Sequence, residues 1–167
     1  MIDHFSKKVL AYSIEKNNSG KAIRNLLQHA HAKHRPNQTM FLTDGGSENI
    51  NTNVSSLLLS WNDTIIHRIA QRDVLFSNSM IEAFNKVLKH QFLHHRNIAS
   101  LNSLEKIVAE SIPIYNNLKP QWSLGGNTPS ETFDGVTIDF HQYTHAFKTQ
   151  KSIRLEKNRK TNCQICH

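Results

Sequence analysis

The order in which hydrophobic periodicity changes along the chain constrains its fold more than any other feature. Lys8 to Glu15 alternates, with Val9, Ala11 and Ser13 on one side and Leu10, Tyr12 and Ile14 on the other, which predicts a strand. Asn17-Asn18-Ser19-Gly20 ends it and caps a helix whose Ile23, Leu26, Leu27 and Ala30 stand at i, i+3, i+4 and i+7. Pro36 stops that helix. Thr39 to Thr43 is a short apolar, β-branched run that leaves through Asp44-Gly45-Gly46, as a buried strand leaves its sheet. Ile50, Val54, Leu57 and Leu58 return to helical spacing, and Thr64 to Ile69 predicts another strand. The order β, α, β, α, β builds an α/β sheet.

The second half is helical. Ser77 to about His95 carries a stripe of Ile81, Phe84, Leu88 and Phe92, and Ser100 to about Leu118 one of Leu101, Leu104, Val108, Ile112 and Tyr115. Pro113 is expected to kink or shorten the second. After a loop from Lys119 to Asn127, Thr128-Pro129-Ser130-Glu131 has the cap, first-turn Pro and third-position Glu of a short helix. Beyond about Phe147 the apolar pattern fades and Lys148, Lys151, Arg154, Lys157, Arg159 and Lys160 accumulate. The expected division is a folded unit over 1–147 and a basic tail over 148–167.

At 167 residues the chain fits one domain with a sizeable core. No apolar run approaches the roughly 18 residues of a membrane span and no secretory leader is visible, so a cytoplasmic protein without a membrane partner is expected. The only cysteines, Cys163 and Cys166, lie too close to the end to staple a fold, which excludes the disulfide-rich secreted class. Twenty Lys and Arg against thirteen Asp and Glu leave a net charge of +7, which directs attention to polyanions.

Two acids stand out by position. Asp44 follows a predicted buried strand, where open α/β sheets place ligands, although an Asp before Gly-Gly is also ordinary turn vocabulary. Glu82 begins the helix that opens near Ser77. Ser79-Met80-Ile81-Glu82 spells a capping box that would tie its carboxylate to a backbone N–H. Alternatively Glu82, Lys86 and Lys89, at i, i+4 and i+7, form a face away from the apolar stripe, with an i, i+4 ion pair as its plain explanation.

Several motifs in register resemble a known family. Leu42-Thr43-Asp44-Gly45-Gly46-Ser47-Glu48-Asn49, Phe76 to Lys89, Tyr115-Asn116-Asn117 with Pro120, and Thr128-Pro129-Ser130-Glu131 are similar to the catalytic core of bacterial insertion-sequence transposases and retroviral-type integrases. The resemblance runs from about Met1 to Phe133, with Asp3 to Lys7 like the family's second-strand turn. It implies a ribonuclease H-like mixed sheet with flanking helices and an Asp, Asp, Glu triad holding two Mg²⁺ or Mn²⁺ ions. The implied activity is metal-dependent DNA cleavage and strand transfer, that is, DNA integration or transposition. Asp44 and Glu82 would be the catalytic metal ligands, as hard cations prefer oxygen donors. Lys86 and Lys89 would contact DNA at transposon ends or target. Asn78 is expected to cap the helix. A homo-multimer in a bacterial, nucleoid-associated setting is also implied.

The family's first acid lies on a core strand upstream of the turn that Asp3 to Lys7 resembles, so the first core strand and its Asp are expected to be missing. The expected consequence is a chain that binds DNA weakly, does not transfer strands and exposes apolar surface. Gly45, where many members have Asn, and Asn49, where many have an aromatic residue, bear on subgroup. The alternatives are a noncatalytic DNA-binding or multimer-poisoning fragment that regulates a full-length relative, and a ribonuclease H-like nuclease.

Other clusters are weaker. His90 and His94 stand at i, i+4 but lack the Glu of the zinc protease motif and a third ligand. His29, His31, Lys33, His34 and Arg35 suit a helix C-terminus. Cys163, Cys166 and His167 spell an incomplete zinc site or a haem-attachment motif without a visible pocket. Trp122 is expected to pack beneath its loop rather than to stack on a base.

Overall fold

The computed structural model describes residues 1–17, 19–70, 72–73, 79–138 and 140–163. In chain order its elements are α1 (Gly20–His34), β1 (Thr39–Thr43), α2 (Thr52–Leu59), β2 (Ile65–Ile69), α3 (Ser79–Val87), a π-helical turn (Leu88–Leu93), α4 (Leu101–Asn117), a 3-10 turn (Trp122–Leu124), α5 (Pro129–Phe133), a second 3-10 turn (Phe140–Tyr143) and α6 (Thr144–Cys163). The result is a mixed α/β fold. β1 and β2 pair in parallel, Thr39 opposite Ile65 and Thr43 opposite Ile69. Parallel neighbours need a crossover, and α2 supplies it. Ser19 caps α1 by accepting from Ala22 N, and Arg35 closes it in the left-handed region at φ 45°.

Lys8 to Glu15 does not form the strand that its alternation predicts. Only Val9 makes a bridge, antiparallel to Ile2. Asp3 N donates to Lys8 O at 2.9 Å, Leu10 N to Met1 O at 3.0 Å and the Met1 amine to Ala11 O at 2.7 Å, making one short hairpin. Its turn is held as expected: Asp3 Oδ2 accepts from Ser6 N at 2.7 Å and from Ser6 Oγ at 2.6 Å. Alternation reports burial, but a ladder also needs a neighbour. On the outer side of Val9 that place is taken by a side chain: Val9 N donates to Asn116 Oδ1 and Asn116 Nδ2 to Val9 O, both at 3.0 Å. An amide side chain thus reproduces the donor and acceptor of one peptide unit.

Two cores result. Leu27, Val54, Leu57, Leu58 and Ile65 form the first, with Met1, Ile23, Phe41 and Trp61 against it. Val9, Val108, Ile112 and Tyr115 form the second, with Ile2, Phe84, Val87, Phe92 and Leu93 among its flanks. Met1 therefore serves one core and Ile2 the other, as successive residues of an extended segment do.

The helix predicted over Ser77 to His95 is described from Ser79 and changes character at Leu88. His94 N reaches back five residues to Lys89 O at 2.9 Å. A π turn takes one more residue per hydrogen-bonded ring than an α-helix, which shifts the inward face of the helix along the sequence. Both Phe92 and Leu93 thereby reach the second core, and Val87 rather than Leu88 packs there. Pro113 does not shorten α4, which continues to Asn117 because Ile112, Tyr115 and Asn116 are buried around it. α5 has the expected capping box, with Thr128 accepting from Glu131 N and the Glu131 carboxylate accepting from Thr128 N. Those bonds, the backbone N–H first, hold the Glu131 carboxyl below its ordinary range. α6 crosses the point where composition turns basic, and residues 144–160 are exposed. Among the described residues no helix is long and apolar enough to cross a membrane.

Candidate active site

Thr43, the last residue of β1, is buried and pairs through Oγ1 with His67 Nε2 at 2.9 Å. Burial pushes the His67 imidazole below its ordinary pKa, with the Asp73 charge partly opposing. The chain then emerges at Asp44, which is exposed. Asp44 Oδ1 accepts from Gly46 N at 3.2 Å and from Asn49 Nδ2 at 2.7 Å. The turn reading of this Asp is therefore correct for one oxygen, while Oδ2 has no hydrogen bond among the described residues. The loop behind it is fixed at its far end, where Asn51 caps α2 and donates to Glu48 O at 2.7 Å. Nothing in the spacing of Asn49 announced that it would hold Asp44.

Glu82 lies in the first turn of α3 and is exposed. Neither commonplace use of its carboxylate is realised. Ser79 sits inside the helix and makes no capping bond with Glu82, and no ion pair joins Glu82 to Lys86. Lys86 and Lys89 are exposed, Lys86 at the end of α3 and Lys89 within the π turn. No hydrogen bond or ion pair connects Asp44 to Glu82, but their elements meet. Leu42 and Ile81, two residues before Asp44 and one before Glu82, line one cavity between β1 and the start of α3.

Among the described residues no three His, Cys, Asp or Glu side chains form a metal-holding group. His90 and His94 contact each other edge to face, 4.6 Å between ring centroids. His31 stacks on Trp61 at 4.0 Å, and His34 Nε2 contacts Leu10 O at 3.2 Å. Phe76, Asn78, Cys166 and His167 lie outside the described residues, as does the side chain of Cys163. Trp122 corrects an expectation: it is 95% exposed. Its 3-10 turn places half-buried Leu124 inward, and at three residues per turn Trp122 falls on the other side.

Residues 64–129 match the family described as Integrase core domain. This segment is therefore similar to an integrase core. It contains β2, α3, the π turn and α4, and with them Glu82, Lys86 and Lys89; Asp44 lies outside the matched stretch. The fold is also similar to the solved catalytic core domain of the HTLV-2 integrase, a trimeric form in complex with magnesium. That likeness has a TM-score of 0.59 at 16% identity and covers 78% of this chain and 79% of that one. Comparison with curated proteins gives no match. The integrase fold thus extends beyond the segment that sequence comparison reaches, into the half that carries β1 and Asp44.

Proposed function

We propose that this chain is the catalytic core of an insertion-sequence transposase, with Asp44 and Glu82 as metal ligands and Lys86 and Lys89 as contacts to DNA. The observation that carries the reading is a pair of carboxylates with free oxygens, at the end of β1 and the start of α3, on elements that share one cavity. Such oxygens suit Mg²⁺ or Mn²⁺, which prefer hard donors and keep positions open for water and phosphate. When bound, a pair of such ions supplies Lewis acidity at phosphorus and activates the attacking oxygen. The protein's part is to fix one carboxylate and present the other. Gly46 N and Asn49 hold Asp44 by a single oxygen, and the α3 backbone projects Glu82 from its first turn. Lys86 and Lys89 offset phosphate charge beside them.

Two carboxylates are a thin ligand set for two cations, so residues 1–167 alone are expected to bind DNA without transferring strands, and a homo-multimer on DNA is the expected working form. Mn²⁺ bound to the chain, followed by electron paramagnetic resonance, should be released by Asp44→Asn or Glu82→Gln. Unchanged Mn²⁺ binding in the double variant would remove the metal assignment. Replacing Lys86 and Lys89 by Ala should weaken DNA binding and flatten its salt dependence by a log–log slope of about 0.9 per lost phosphate contact. In a Mg²⁺-dependent joining assay on transposon-end DNA, turnover abolished by Asp44→Asn would overturn the expected inactivity and leave the family reading intact.

A further inference from the structure

Five of the chain's seven net positive charges fall on α6, where six Lys and Arg stand with Glu156 as the one acid. The rest of the chain is close to neutral. A segment that carries most of a molecule's charge is where a polyanion is drawn. Every residue from Thr144 to Lys160 is exposed. Glu156 pairs with Lys160 at 2.7 Å, an exposed i, i+4 contact that contributes little and gives way to a phosphate.

The bearing of each side chain around the helix decides which polyanion fits. At about 100° per residue, Gln150, Arg154 and Asn158, at i, i+4 and i+8, form one row about 80° wide and about 12 Å long. Lys157 and Lys160 flank the row on one side, about 20° and 80° from its edge, and Lys151 and Lys148 flank it by about the same angles on the other. Cations therefore stand on both sides of a polar row. Gln150, Arg154 and Asn158 make no side-chain hydrogen bond or ion pair among the described residues. Phe147, Ile153 and Leu155 point three ways, about 80° or more apart, so α6 has no apolar stripe. Lying on a membrane and joining a helical bundle both require one apolar face, which α6 does not offer.

We propose that α6 reads duplex DNA from the major groove, with Gln150, Arg154 and Asn158 on base edges and the flanking lysines on the two phosphate walls. The groove has the complementary form: about 12 Å wide, it admits an α-helix, with base edges on its floor and a backbone along each side. The residue types of the row suit that floor, since Gln and Asn bond adenine through two atoms and Arg bonds guanine likewise. A row of about 12 Å spans three to four base pairs at about 3.4 Å each. The corresponding groove of an RNA duplex is too deep and narrow for side chains to read. The choice of DNA among polyanions rests in part on the reading of this chain as a DNA-acting core, but α6 shares no residue with Asp44, Glu82, Lys86 or Lys89.

The test uses the 167-residue chain and a fluorescein-labelled pool of random-sequence DNA duplexes of about 20 base pairs. Lys148→Gln together with Lys151→Gln should reduce the log–log salt slope of binding by about 1.8, about 0.9 for each lost phosphate contact. Selection from the pool should enrich a short site bound about tenfold or more over the starting mixture, and Gln150→Ala with Arg154→Ala and Asn158→Ala should abolish that preference. All five positions are exposed, so the far-ultraviolet circular dichroism and the Mn²⁺ binding of these variants should match the parent chain. An unchanged salt slope, a selection that enriches no site, or equal binding of an RNA duplex of the selected sequence would overturn the inference. Loss of DNA binding on replacing Lys86 and Lys89 but not on replacing the α6 residues would overturn it and leave the transposase reading standing. Loss on replacing the α6 residues, with Mn²⁺ binding unmoved by Asp44→Asn and Glu82→Gln, would support α6 and remove the metal assignment.

Discussion

The two cores solve the same problem by different means. The first, around Leu27, Val54 and Ile65, is built from consecutive elements whose backbone groups find each other: α1, β1, α2 and β2 follow in order, and the strands pair across a short crossover. The second joins the hairpin to helices about a hundred residues later, through the contact between Val9 and Asn116, |i−j| = 107. There a side chain takes the place of a neighbouring strand. Local order builds one region, and a single amide fastens the other across the sequence.

Leu27→Ala tests the first region and should have the largest effect. Leu27 is 3% exposed, and removing its buried methyl groups should cost about 2–5 kcal/mol in urea unfolding. Asn116→Ala tests the second. It strands a buried N–H and a buried C=O on Val9 and should cost about 2–4 kcal/mol. If the regions are energetically separate, the two losses add within about 0.5 kcal/mol; a larger coupling would show that the cores communicate through the hairpin they share. Thr128→Ala removes one half of the α5 capping box and should cost about 1 kcal/mol.

The smallest expected effect is the pH dependence that His67 contributes in the first region. Burial first, with Asp73 opposing, holds the folded-state pKa of His67 below the unfolded value of 6.5. As pH falls through 6.5 the unfolded chain takes up this proton before the folded chain does, so stability falls until the pH reaches the depressed folded-state value. Denaturation midpoints measured from pH 7.5 to 5 should decline, and His67→Gln should flatten the decline. An unchanged slope in that variant would place the titration elsewhere.

The same contrast explains what was legible from residue patterns. β1, β2, α1 and α2 follow from periodicity because their partners are near in sequence and their caps are ordinary. The capping box of α5 is equally local. The single bridge at Val9 was not legible, because alternation does not reveal that a distant Asn takes a strand's place. The π turn escaped because a 3.6-residue stripe is satisfied by Leu88, whereas the extra residue of the π turn leaves Val87, Phe92 and Leu93 against the second core. At the candidate site, Asp44 and Glu82 were visible as residues. The division of labour between the two oxygens of Asp44 was not, since it rests on where the Asn49 amide lies. Trp122 misled for a simpler reason: size and hydrophobicity favour burial, but the short turn holding it has room inside for Leu124.

The chain's two tryptophans fall one to each kind of surroundings. Trp61 stacks on His31 against the first core, and Trp122 stands in solvent on the loop after α4. Their emission should separate without any label, a long-wavelength band open to iodide quenching from Trp122 and a shielded band from Trp61. The molecule thus carries its own pair of fluorescent reporters.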